Sequence, residues 1–424
     1  MDGANTTLNI YTKNLTAYKI DEGFDAINFY LPESTVNGDT IITFTGPTNL
    51  SGTAINAGVA GNANLKNGDV ITLITNSNGL STDDATTYGK LTEGVSLEYD
   101  VNVSKSGNSI IATIGTSSDT SGELKSETES LPISSGIPGL ETVNTSLDTK
   151  NLEDDTELES KEAAVATQIV EPKGWEIFAN MGGGSLKTKG SDGSHVDMTT
   201  QSINLGFARS LESSVGKFII APIIDYASGK YDSYLETGIH GNGKTRYIAG
   251  GLIARRMLPN GFYYETSVRV GKVKTDFESD NIDTTGIFGR VTYDTSATTL
   301  AGHLKLGKAF RLNKNNFLDV YGIYYHAHQN GMGADLSSGE HYDFSSADSG
   351  RFRIGYRLTT KTSKISKIYT GIAYQYEHSS GVTATYKTYS TAGKGDNGSS
   401  GMLELGWIIK PIKALPWSVD INTT

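Results

Sequence analysis

The sequence has no cysteine, which excludes disulfide staples, thiolate metal sites and cysteine nucleophiles. It has no excess of positive charge: 36 basic against 47 acidic side chains give a formal charge of -11, so no nucleic-acid partner is expected. No run of about 18 apolar residues occurs, and with it goes the transmembrane helix. The opening MDGANTTLNIY lacks the basic and apolar regions of a secretory signal; either the chain stays inside, or the gene product begins upstream. P-loops, His-Glu-x-x-His helices and Gly-x-Ser-x-Gly elbows are missing, so no catalytic residue, cofactor or metal ligand is nominated. His326 and His328 share a strand face, but a metal would need a third ligand that is not nearby.

What the chain has is glycine (49 residues), tyrosine (22) and many short β-type runs. Residues 1–117 are rich in Thr, Asn, Gly and Asp, with runs INFYL, TIITF and VITLI. Two of the runs follow Asn-Gly-Asp turns, at Asn37-Gly38-Asp39 and Asn67-Gly68-Asp69, a weak internal repeat. The segment Lys105-Ser106-Gly107-Asn108 predicts a hairpin. Residues 118–153 turn to Ser, Thr, Glu and Gly, the composition of a linker. Residues 154–172 predict a helix, capped by Asp154 or Asp155 and ended by Pro172.

From Trp175 onward a period of two recurs. RFRIGYRL puts Arg351, Arg353 and Arg357 on one face and Phe352, Ile354, Tyr356 and Leu358 on the other. Similar alternation places Glu176, Asp225, Glu265, Arg269, Lys305, Asp319, Gln375, Glu377 and Glu404 opposite Leu, Ile, Val, Phe, Tyr and Trp. Connections alternate in length. Tight ones at 258–261, 311–316, 360–364 and 411–416 separate long polar ones at 278–298, 330–347 and 379–399. Short turns at one rim and long loops at the other, with Trp and Tyr near strand ends, are the pattern of an outer-membrane β-barrel. An Arg facing lipid at the midplane costs roughly 2 to 4 kcal/mol, so the arginines are expected to face the lumen. The twelve polar residues named above, Glu176 to Glu404, form the expected lumen lining.

The ordered segments WEIFANMGGGS, SINLGFARSLES, FIIAPIIDYASGKYDSYL, GNGKTRYIAGGLIARRM and GFYYETSVRVGKVKTDF, after an alanine-bearing helix, resemble the translocator domain of classical autotransporters, the type V secretion system. The resemblance covers about residues 154–422. It implies an all-β, antiparallel barrel of about twelve strands over 173–424, the last one or two incomplete here. The helix would sit in the pore, and residues 1–117 would be the end of a surface-exposed passenger, a β-solenoid end or cap. It also implies an outer-membrane monomer that meets lipid, the barrel assembly machinery and periplasmic chaperones, and that is not itself an enzyme. A helix of about 25 Å matches the height of the apolar band. An unpaired edge would be a liability in lipid. The competing readings are an unrelated outer-membrane pore or barrel enzyme with an N-terminal periplasmic domain, and a soluble β-sandwich adhesin.

Overall fold

The computed structural model describes residues 6–20, 24–59, 63–82, 87–119, 175–189, 195–234, 238–283, 288–363, 366–392, 397–409 and 419–423. The helix expected at 154–172 and all of the expected linker beyond Asp119 lie outside them. The N-terminal region holds β1 (Thr7–Ile10), β2 (Leu15–Ala17), β3 (Ala26–Leu31), β4 (Thr40–Phe44), β5 (Thr48–Asn49) and β6 (Ala54–Val59). It continues with β7 (Val70–Asn76), β8 (Leu80–Ser81), β9 (Thr87–Glu93), β10 (Leu97–Ser106) and β11 (Ser109–Asp119).

Parallel ladders β1–β3–β6–β9, β2–β4–β7 and β5–β8 stack successive turns of the chain. The hairpin β10–β11 then bridges β9 to β7. Alternation buries Ile27, Phe29 and Leu31 of β3 and Ile71 and Leu73 of β7, and a register shift against β11 turns Ile74 inward as well. Asn9, Asn28 and Asn56 form a side-chain ladder with 3.0 Å hydrogen bonds between rungs. The Asn-Gly-Asp repeat is a repeated turn. Val36 N–H donates to Asp39 at 2.9 Å, Lys66 N–H to Asp69 at 2.8 Å, and Val70 N–H to Asn37 at 2.8 Å across the stack.

The second sheet is antiparallel and runs β12 (Glu176–Lys189), β13 (His195–Ser213), β14 (Gly216–Tyr234), β15 (His240–Met257), β16 (Phe262–Ser279), β17 (Val291–Arg311) and β18 (Asn316–Gln329). After β19 (Met332–Asp335) and β20 (His341–Phe344) it resumes with β21 (Ala347–Lys361) and β22 (Ser366–Ser379). After β23 (Thr383–Tyr386) and β24 (Tyr389–Ala392) it ends with β25 (Asn397–Ile409) and β26 (Val419–Thr423). These eleven strands curl so that one face is buried and the other exposed. Tight turns close three of the four expected short connections, through Leu258 N–H to Phe262 O (2.7 Å), Leu312 N–H to Asn316 O (2.9 Å) and Thr362 N–H to Ser366 O (3.0 Å). The fourth, 411–416, lies outside the described residues.

The long connections differ from the expectation of plain polar loops. β17 already begins at Val291, and β19, β20, β23 and β24 pair into a separate four-stranded sheet beyond the barrel. The cause is a local period of two that polar residues obscure: Ala334, Tyr342, Phe344, Ala384 and Tyr386 are buried while their neighbours are exposed or half-buried.

Candidate functional site

The outward face of the barrel changes character along each strand. On β17, Thr292, Asp294, Ser296 and Thr298 give way to Leu300, Leu304, Leu306 and Phe310; on β16, Phe262, Tyr264, Val268 and Val270 give way to Lys272, Lys274, Asp276 and Glu278. Cross-strand register brings Tyr226 opposite Ile248 and Val270 opposite Leu300, so the change falls at one level around the wall. The apolar stretches Phe262–Val270 and Leu300–Phe310 match the roughly 9 to 11 residues a strand needs to cross the hydrocarbon core. Tyr324, Phe352 and Tyr376 stand in one cross-strand row at its upper rim, where aromatic side chains suit the interface. His326 and His328 lie just above, close to Asp348 at 3.7 and 2.9 Å. So large an exposed apolar belt belongs in lipid rather than water.

The opposite face, at the same level, holds buried charge. Asp225 accepts from Arg269 Nε and Asn204 Nδ2, both at 2.7 Å; Glu265 pairs with Arg255 Nε at 2.6 Å and lies 2.7 Å from His303 Nε2. Arg357 reaches Glu404 at 2.9 Å and Arg353 donates to Gln375 at 2.9 Å, while nearer the rim Arg351 pairs with the partly exposed Glu377 at 2.6 Å. Arg357 and Glu404 lie two strands apart, and the pair closes because Gly371 stands between them; a Cβ there would come within 2.8 Å of the Glu404 carboxylate. Asp319 accepts from Tyr263 Oη at 2.8 Å, and the Lys305 ammonium lies 4.7 Å from the Tyr321 ring centre.

Eleven of the twelve residues singled out in the sequence therefore have described side chains, buried or half-buried, while the side chain of Glu176 lies outside the described set. Arg255, Asn204 and Ser267 were missed. Arg255 obeys the same alternation, but its neighbour Arg256 hides the signal by placing like charges on both faces.

Ser267, His303 and Glu265 stand in a line, with His303 Nδ1 2.6 Å from Ser267 Oγ. Arg269 Nη1 also donates to that oxygen at 2.6 Å, which leaves the hydroxyl hydrogen for His303 Nδ1 and the protonated Nε2 for Glu265. All three side chains are buried and their hydrogen-bonding capacity is used within the network.

Above the belt the inner face also reverses. Val196, Met198, Tyr231, Phe277 and Tyr293 point inward and join one apolar cluster with the loop sheet and the N-terminal core. Phe277 stacks on Tyr293 with ring centres 5.1 Å apart; Tyr293 approaches Phe344 at 6.3 Å, and Tyr342 approaches Tyr386 at 5.9 Å. The N-terminal region thus sits on the long-loop side of the barrel, fastened to its mouth.

Residues 177–412 match the family model described as the autotransporter beta-domain. Among solved structures, the β domain of the Bordetella autotransporter BrkA is similar at 19% identity and a TM-score of 0.42, covering 59% of this chain and 98% of that one. The translocator domain of NalP from Neisseria meningitidis is similar at 11% identity and a TM-score of 0.44, covering 66% of this chain and 90% of that one. The transport unit of AIDA-I from Escherichia coli is similar at 12% identity and a TM-score of 0.44, covering 63% and 89%. No curated protein matches the chain. With the family model matched over more than half its length, the chain belongs to the autotransporter β-domain family, outer-membrane translocators that carry a passenger to the cell surface.

Proposed function

We propose that residues 1–117 are the end of the passenger, that 118–153 link them to a helix at 154–172 within the pore, and that 173–424 form the translocating barrel. The observation that carries this reading is the position of the N-terminal region against the loop sheet, on the side of the long connections. In outer-membrane barrels the long loops face outward, so a domain packed on them belongs outside the cell. The same position speaks against the competing reading, in which that domain is periplasmic. Glu176, Asp225, Glu265, Arg269, Lys305, Asp319, Arg351, Arg353, Arg357, Gln375, Glu377 and Glu404 then line the lumen, where ion pairs such as Asp225–Arg269 and Arg357–Glu404 offset part of the cost of burying charge.

The chain's own contribution is transport rather than catalysis. Ser267, His303 and Glu265 are tied on both sides by Arg269 and Arg255, which suits a charge-balanced wall better than a nucleophile awaiting a substrate. Membrane lipid, the barrel assembly machinery and periplasmic chaperones are the partners such a barrel would use, and the chain would act as a monomer. The test is an epitope at the N-terminus with protease added to intact cells. Digestion of the epitope and of residues 1–117 is expected; protection of both until the outer membrane is opened would overturn the assignment.

A further inference from the structure

At the outer mouth two carboxylates change sides. Glu93, which ends β9, is fully buried; it accepts hydrogen bonds from Tyr99 at 2.7 Å and from Tyr386 of the loop sheet at 2.8 Å, and pairs with the Lys387 ammonium. Glu340, in the turn before β20, is buried in the opposite sense. It accepts from the Val95 N–H, the Ser96 hydroxyl at 3.2 Å, and Ser338 of its own turn. Tyr342 meets Ser96, and Tyr389 meets Ser117 at 2.8 Å.

The backbone on both sides is shaped for the exchange. Gly94 has φ of +57°, and a Cβ there would collide with the Glu340 carboxyl. Lys387, the first residue of the two-residue turn of the β23–β24 hairpin, has the positive φ such a turn requires, +53°, and its ammonium reaches Glu93 from there. A buried carboxylate needs its donors and counter-charge, and here each acid draws part of them from the other side of the interface.

We infer that the sheet β19–β20–β23–β24 is a receptor for the 93–96 turn and holds the N-terminal domain at the barrel mouth without help from the covalent connection. This rests on the translocator reading and adds a fate for the delivered domain: it is kept at the surface rather than released when the chain between the two parts is cut. The shared apolar cluster supports the same outcome, since separation would also uncover Tyr342, Phe344 and Tyr386.

The experiment places a site-specific protease sequence, flanked by glycine-serine spacers, between Ser134 and Ser135 of the full chain. The protein is purified in detergent and cut, cleavage is scored on a denaturing gel, and the fragments are run on a sizing column. Co-elution of the two fragments is expected. Glu340→Ala, which leaves the buried Val95 N–H without its acceptor, and Gly94→Leu, whose side chain would meet the Glu340 carboxyl, should each speed their separation on the order of 10-fold or more. The swap Glu93→Lys with Lys387→Glu should restore part of what Glu93→Lys alone loses. Prompt separation of the unmutated fragments would overturn the inference while leaving the translocator reading intact. That reading fails on different evidence, protection of the N-terminal domain in whole cells.

Discussion

Asp225 and Arg269 belong to strands β14 and β16, with β15 between them, and at their level β15 offers Gly251. A Cβ at Gly251 would lie 2.7 Å from Arg269 Cγ, so the bare backbone is what lets the two charges meet at 2.7 Å. Breaking one side of such a buried pair strands the other. Asp225→Ala is therefore expected to destabilise the barrel by about 3 to 5 kcal/mol, whereas Asp225→Leu combined with Arg269→Met should cost much less. The temperature at which the folded, faster-migrating form disappears from a gel measures both. At this scale the sequence was informative about which face a residue occupies and silent about partners. Arg357 could be placed opposite Leu358 by counting, but its pairing with Glu404 two strands on depends on Gly371 on the strand between them.

The barrel strands were legible because one rule, alternation, acts over many consecutive residues and a single slip would put arginines in lipid. The loop strands β19, β20, β23 and β24 were not. Each spans only four residues, too short for a period to stand out, and their burial comes from contacts such as Val95 to Glu340, 245 positions apart. The pore helix remains an inference from caps and alanines, since its residues lie outside the described set. The loop sheet carries its own pH signature. Burial pushes the Glu340 carboxyl above the usual carboxylate range, outweighing the opposing pull of Ser338, the Val95 N–H and Ser96. A pKa raised by docking means that the docking contribution is complete below the undocked value and is lost as pH rises through the docked one. Fragments cut at the linker should thus hold together more tightly on acidification from about pH 8 towards the carboxylate range, about pH 4 to 5. Co-elution measured across that range checks the slope, and Glu340→Gln should flatten it.

Over the whole molecule two reversals of polarity explain the architecture. In the belt the wall is apolar outside and charged inside; above it, the wall is polar outside and apolar inside, like a soluble sheet packed on a core. One continuous set of strands can therefore cross lipid and still offer an ordinary protein surface for the N-terminal domain to fold against. The absence of cysteine makes the central claim directly measurable. Single cysteines at positions 351 to 358, each carrying a nitroxide in the reconstituted protein, report collisions with oxygen, which concentrates in lipid, and with a water-soluble nickel complex. The account predicts that labels replacing Phe352, Ile354, Tyr356 and Leu358 meet oxygen while those replacing Arg353 and Arg357 do not. Oxygen access at the arginine positions, or no alternation along the strand, would contradict it.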